Sequence, residues 1–295
     1  MSNYKSFSIV GVGDIGSHIV RALLSKGVTP VIITRKSSNT DFSKKFPGAS
    51  LKIARVSSYD NIEELAAAFK EHGVEVVLST LGSDVIKVEP ALADAAKKAG
   101  VKLFVPSEYG FVTEGASKVP GAPTPEESLL VWKDQFADSL KKLGLAYARF
   151  FVGSFFGYVP WITGYELNDK VNIVGKGERP ISFTDEADIG GFVAHILTTL
   201  SPSELADRCF RIEGDHTTIL ELGKRLNKEV AFVDKIPGEP LNDLKNSLVL
   251  IFDKGEGSTA WDHAKQGIRE DGTGNDNHLW PNHRWKTFAD LGLGL

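Results

Sequence analysis

Residues 6–24 read Ser6-Phe7-Ser8-Ile9-Val10, then Gly11-Val12-Gly13-Asp14-Ile15-Gly16, then Ser17-His18-Ile19-Val20-Arg21-Ala22-Leu23-Leu24. The first run is β-branched and aromatic and reads as a strand. The last has helical apolar spacing. A GxGxxG turn between a strand and a helix is the dinucleotide-binding fingerprint in the context that gives it meaning. Gly11 permits the tight turn, Gly13 lets backbone approach a pyrophosphate, and Gly16 lets helix and strand pack closely. The helix N-terminus presents unpaired N–H groups and the positive end of its dipole to phosphate, beside Asp14 and Ile15.

The rest of the first half continues the pattern. Strands are expected at Phe7–Val10, Pro30–Thr34, Leu51–Arg55, Glu75–Ser79, Leu103–Pro106 and Ala146–Val152, and helices at Ser17–Lys26, Asn61–His72, Glu89–Ala99 and Glu126–Leu143. Asp60 or Asn61 is placed to cap the second helix. Gly73, Gly100 and Gly144 are placed to end helices. Alternating strands and helices predict an α/β Rossmann fold, a doubly wound parallel sheet that binds its cofactor at the carboxyl ends of the strands. From Phe155 the rhythm weakens. An aromatic stretch (Phe155, Phe156, Tyr158, Trp161) precedes a strand-like Val171–Val174 and helices at Asp188–Leu197 and Ile219–Leu226. The expected division is a cofactor domain over residues 1–152 and a smaller α/β substrate domain over 153–295, which weaves back into the first around 171–200.

Composition excludes several classes. A chain of 295 residues suits one large or two modest domains. Its net charge of −4 gives no basic surface for nucleic acid. The single cysteine, Cys209, excludes an internal disulfide and a multi-cysteine metal site, and fits a reducing compartment. No apolar run is long enough for a membrane span. The early first strand is read as leaving no room for a signal peptide, so the expected location is cytoplasmic.

The end of the second strand selects between nicotinamide cofactors. NAD sites place Asp or Glu there for the ribose 2′-hydroxyl. Here Val31-Ile32-Ile33-Thr34 runs into Arg35-Lys36, two cations where a 2′-phosphate would lie. The reading is NADPH; a basic strand end facing water is the alternative.

The Tyr-x-x-x-Lys proton donor of many short-chain dehydrogenases is absent. In the helix at 126–143, Leu129, Trp132, Phe136 and Leu140 fall on one stripe. Lys133 lies on that apolar side, whereas Lys141 and Lys142 project away from it. A lysine held against apolar surface has a lowered pKa and suits general acid–base work. A lysine laying its stem on the stripe and reaching water shows the same spacing.

These residues form a series: Gly11 to Gly16, Arg35, Ser79-Thr80-Leu81-Gly82, Val105-Pro106-Ser107-Glu108-Tyr109-Gly110, Lys133 with Gly144-Leu145-Ala146-Tyr147, and Asp188-Ile189-Gly190. Over residues 5–200 the series resembles the isoflavone reductase-like, or NmrA-like, group of atypical short-chain dehydrogenases. Its plant members include pinoresinol–lariciresinol and phenylcoumaran benzylic ether reductases. Val10 stands where those reductases often carry another glycine, Tyr109 replaces a phenylalanine, and Ala137-Asp138 replace a basic pair. The resemblance implies that Lys133 is the catalytic acid/base and that Lys44 joins Arg35 and Lys36 at the 2′-phosphate. It places Thr80, Leu81 and Gly82 beside the ribose and Ser107 and Glu108 near the nicotinamide. Tyr109, Val152, Gly153, Ser154 and Phe155 would then line the substrate pocket, although Phe151–Phe156 read equally well as ordinary core.

The expectation is therefore an NADPH-dependent reductase of a small aromatic or conjugated molecule: a phenolic benzylic ether, an enone or a ketone. The group also contains dinucleotide-binding redox sensors that act through a protein partner without turnover, and this reading stands beside the enzyme. Neither nucleic acid nor membrane is an expected partner; a homodimer is left open beside the monomer. His278 and His283 lack a carboxylate at metal-ligand spacing, so no metal site is expected.

Overall fold

The structure, a computed structural model, describes residues 3–238 and 242–291. The chain forms two compact units. The first takes the described residues up to Glu108 together with Gly121–Arg149 and Ile189–Phe210; the second takes Tyr109–Pro120, Phe150–Asp188 and the described residues from Arg211 on.

The first unit is built on five parallel strands, β1 (Phe7–Val10), β2 (Val31–Arg35), β3 (Lys52–Val56), β4 (Val76–Ser79) and β5 (Leu103–Val105), in the order β3-β2-β1-β4-β5. Ile9 pairs with Ile32 on one side and Leu78 on the other. The runs Val31-Ile32-Ile33 and Val76-Val77-Leu78 are apolar without alternation because both faces of a parallel sheet are covered. β3 is the edge strand and is largely exposed.

Its helices are α1 (Asp14–Ser25), the single turn α2 (Phe42–Lys45), α3 (Ile62–Glu71), α4 (Glu89–Ala99) and α5 (Leu129–Leu143). α1 begins inside the glycine motif, three residues before the expected start, and buries Ile15, Ile19, Val20 and Leu23. Asn61 caps α3 by accepting from Glu64 N at 3.1 Å. α5 starts at Leu129 rather than at Glu126, because Ser128 is its N-cap and accepts from Val131 N. β6 (Ala148–Phe151) follows α5 and pairs with β10 (Arg208–Arg211).

The second unit carries β7 (Ser154–Phe155), α6 (Val159–Thr163), α7 (Tyr165–Asn168), β8 (Lys170–Ile173), β9 (Ile181–Thr184), β11 (Asp215–Thr217), α10 (Ile219–Arg225), β12 (Glu229–Phe232) and α11 (Asn242–Lys254). Between them run α8 (Glu186–Thr199), which passes into the first unit at Ile189, and the short α9 (Pro202–Leu205). β9 lies between β11 and β7, and β12 pairs in parallel with β8. An aromatic core holds it: Phe288 packs edge-on against Phe156, ring centroids 4.6 Å apart, and against Phe183 at 5.1 Å.

The short strands β7, β9, β10, β11 and β12, the short helices α2, α6, α7 and α9, and the longer α11 escape the sequence reading. The buried positions of α11 include Lys245, Val249 and Phe252, at helical spacing. A buried lysine in that stripe masks the apolar period. Its ammonium donates to the Pro237 carbonyl at 2.9 Å.

Candidate active site

The glycine turn shows the geometry its spacing predicts. Gly11 takes a φ of +86°, which side chains disfavour. A Cβ on Gly16 would lie 2.4 Å from the Gly11 carbonyl oxygen, so only glycine lets α1 sit this close to β1. Gly13 has open space where its side chain would be, and no side chain caps α1 there. The first N–H groups of α1 are thus left to solvent or to an anion. The Thr80 hydroxyl donates to the Gly11 carbonyl and ties this turn to the end of β4. Leu81 is buried under the turn, its Cδ2 3.0 Å from a Cβ on Gly11, and Gly82 is exposed.

The cations around the turn are sorted by their partners. Lys45 Nζ donates to the Val12 carbonyl at 2.6 Å. Its neighbour Lys44 is 87% exposed beside Asp41. Burial, then the Arg21 charge, lowers the Lys45 pKa, against the pull of Asp14. The resemblance points to Lys44; one position on a single helical turn separates the two. Lys36 pairs with Glu64 at 3.1 Å, whereas Arg35 lies over the ring of Tyr59.

A second group of charges gathers beyond the ends of β4 and β5. Lys133, 16% exposed, projects from α5 and donates to the Glu108 carbonyl at 3.1 Å. Its ammonium is 4.0 Å from the Glu108 carboxylate. That carboxylate accepts from Arg149 Nε at 2.8 Å, and Arg149 reaches Asp134 at 3.6 Å. Glu89, the first residue of α4, is buried and accepts from Ser107 N at 2.8 Å, while the Ser107 hydroxyl donates to the Leu81 carbonyl at 2.8 Å. The end of β5 is thereby stitched to α4 and to the segment after β4.

Burial governs the ionisation here. It lowers the Lys133 pKa, only partly countered by Glu108 and Glu89, and the Arg149 charge pushes it further down. Burial pushes the Glu89 carboxyl up to about 7, although the Ser79 side chain, the hydrogen bond from Ser107 N and the Lys133 charge favour the anion. With Glu89 protonated, two cations (Lys133, Arg149) face two anions (Glu108, Asp134). Ionising Glu89 breaks that balance inside a desolvated site.

The folded protein holds the Glu89 proton between the carboxyl's ordinary 4.5 and about 7, where the unfolded chain has released it. The parent therefore loses stability as pH rises through that window. Glu89→Gln keeps an acceptor for Ser107 N and carries no ionisable proton. The melting temperature of the variant should gain on the parent as pH rises from 4.5 to about 7. A difference independent of pH would refute the assigned ionisation.

In the second unit, Tyr109 is buried at a φ of +28° and stacks on Phe150. Val152 and Ser154 are buried, and Phe155 is half-buried with its ring 5.0 Å from Tyr158. Gly153 has a φ of +72°, and a Cβ there would lie 2.2 Å from the Ser182 carbonyl oxygen. Any side chain at Gly153 breaks that packing, so Phe155 is the position at which this segment can be varied. The aromatic stretch divides accordingly: Phe156 is core, and Phe155, Tyr158 and Trp161 retain exposure. His283 stacks on Trp280 at 3.6 Å and faces Asp188 at 3.1 Å. Among the described residues no cluster of His, Cys, Asp and Glu is arranged to hold a metal ion, and no helix is long and apolar enough to cross a membrane.

Sequence reasoning missed Lys45, Glu89, Arg149 and Tyr59. Arg149 left a signal, an arginine inside the apolar run Ala148-Arg149-Phe150-Phe151, which marks a buried charge in need of partners. Nothing local marks Glu89, whose burial comes from strand ends distant in sequence.

Known proteins share this arrangement of strands, turn and helices. The sequence profile of the NmrA-like family matches residues 7–288. Isoflavone reductase homolog P3 of Arabidopsis thaliana is 30% identical over 200 residues, which cover 64% of this chain and 63% of that protein. The chain thus matches just under two thirds of that relative's length. Oxidoreductase aprR of Aspergillus flavus is 31% identical over 238 residues, 77% of this chain and 76% of its own. The solved binary complex of leucoanthocyanidin reductase with NADPH from Vitis vinifera has the same fold, with a TM-score of 0.76 over 97% of both chains at 20% identity. A family match over nearly the whole chain, on a parallel sheet with the glycine turn at its first strand, places this protein in the NmrA-like family.

Proposed function

We propose that the chain is an NADPH-dependent reductase of a small aromatic or conjugated molecule, a phenolic benzylic ether, an enone or a ketone, with Lys133 as general acid/base. The observation that carries the reading is Lys133 itself, a nearly buried ammonium held by a backbone carbonyl, its pKa lowered by burial, on the same unit as the glycine turn. The relatives named as reductases support it.

The turn fits a dinucleotide: Gly13 is open, α1 is uncapped, and Gly16 allows the close approach of helix and strand. Gly11, Gly13, Asp14, Ile15 and Gly16 would hold the pyrophosphate, Arg35 the 2′-phosphate, with Lys36 and Lys44 flanking it. Thr80, Leu81 and Gly82 would meet the ribose, and Ser107 and Glu108 the nicotinamide end. Bound NADPH would supply the hydride. The protein's own part is to orient and to manage one proton. Lys133 would exchange that proton at a phenol or carbonyl oxygen. The Glu108 carbonyl fixes where the ammonium points, and partial desolvation makes it a readier donor than a lysine in water. Of the residues assigned to substrate, Tyr109, Val152, Gly153, Ser154 and Phe155, the half-buried Phe155 is proposed as a side-chain contact.

Arg35→Ala should weaken NADPH by about 2 kcal/mol, roughly 30-fold, the worth of a charge-assisted hydrogen bond, and leave NADH nearly unchanged. Fluorescence titration of both cofactors measures it. Equal affinities for NADPH and NADH in the parent would refute the cofactor assignment. The activity itself is tested by NADPH oxidation against phenolic ethers, enones and aromatic ketones. Tight binding with no oxidation across that screen would make the protein a sensor rather than a reductase.

A further inference from the structure

Arg35 and Lys36 are adjacent, yet the fold commits them differently. Lys36 is in an ion pair with Glu64, which also accepts from Ser57 N. Arg55, opposite Thr34 in the sheet, donates to the Ser38 carbonyl at 3.2 Å and so holds the loop after β2. Arg35 forms no ion pair with a carboxylate among the described residues. Its guanidinium carbon stands 5.6 Å from the centre of the Tyr59 ring. Tyr59 is 9% exposed and belongs to the core cluster with Val31, Ile33, Val56 and Leu65. The ring is therefore a fixed surface, whereas the arginine on it is exposed.

That separation lies within cation–π range, and the contact spends none of the guanidinium donors on a carboxylate. A ring beneath Arg35 restrains a long, rotamer-rich side chain without using the donors that a phosphate needs. A carboxylate partner, as on Lys36, would use them.

We propose that Tyr59 is a specificity-determining positioning residue: its buried ring holds the Arg35 guanidinium at the end of β2, so that Arg35 reads a ribose 2′-phosphate. The inference rests on the NADPH reading above and adds to it what holds the arginine in place.

The test is a double-mutant cycle on cofactor affinity, read by fluorescence titration with NADPH and NADH and requiring no substrate. Tyr59→Leu keeps apolar bulk and removes the ring; Tyr59→Met is a second ringless variant should the first not fold, and Tyr59→Phe restores the ring. Either ringless variant should weaken NADPH roughly 2- to 5-fold, the size of an exposed cation–π contact, and leave NADH unchanged. Tyr59→Phe should bind NADPH as the parent does. In the Arg35→Ala background the ringless change should do nothing further to NADPH. The proposal is overturned if the ringless variants weaken NADPH and NADH alike, or if they act equally in the Arg35→Ala background. A parent that binds neither dinucleotide fails the cofactor reading itself, a result distinct from these.

Discussion

Lys133→Ala is expected to lower kcat by about 100-fold or more, the usual worth of a positioned acid or base, while NADPH affinity stays near that of the parent. Lys133 donates to the Glu108 carbonyl and stands at the limit of ion-pair distance from its carboxylate, which keeps Arg149 as a closer partner at 2.8 Å. Removing the ammonium thus leaves the main pair of the buried group intact, and the melting temperature should change little. Lys133→Arg should fail as fully as alanine, because a guanidinium stays protonated and cannot exchange the proton. The measurement is turnover on whichever ether, enone or ketone the NADPH-oxidation screen identifies, with cofactor titration and thermal unfolding alongside. Parental turnover in the alanine variant would return Lys133 to the class of lysines that lay their stems on an apolar stripe.

Arg149→Met should destabilise the fold by about 3–5 kcal/mol, the loss expected when one partner of a buried charge group is removed. Arg149 is 2% exposed and satisfies Glu108 at 2.8 Å and Asp134 at 3.6 Å. Burial alone would lower its pKa, yet Glu108, Cys209 and Asp134 together hold it above the ordinary arginine value. Methionine fills comparable volume, so the effect reads the missing charge more than a cavity. Glu108 would then be a buried carboxylate without its closest cation. Urea unfolding measures the loss. A variant within about 1 kcal/mol of the parent would mean that Glu108 and Asp134 are satisfied by other groups.

Local order along the first half of the chain was legible because it is local chemistry. β-Branched runs, helical spacing and the turn glycines act over a few residues, and β1, β2, β4 and α4 appear within a residue of their expected limits. α5 starts later than its apolar spacing implies, because the Ser128 cap fixes the first turn at Leu129. Its buried face also differs from the expected stripe. Val131, Asp134, Phe136, Ala137 and Leu140 are buried, with Asp134 there because Arg149 meets it. Lys133 stands at the edge of that face, as its spacing allowed; only the position of the Glu108 carbonyl shows that its head turns back toward protein.

The sequence by itself determined the α/β class, the glycine turn between β1 and α1, the basic end of β2 and the candidacy of Lys133. Each depends on residue type and short spacing. The tertiary structure decided which of two adjacent cations is left without a carboxylate, which of Lys44 and Lys45 reaches the turn, and that Glu89 holds a proton up to about 7. Those outcomes depend on desolvation and on through-space neighbours brought together from distant strand ends. No window of sequence contains them, because an ionisation state belongs to a surrounding rather than to a residue.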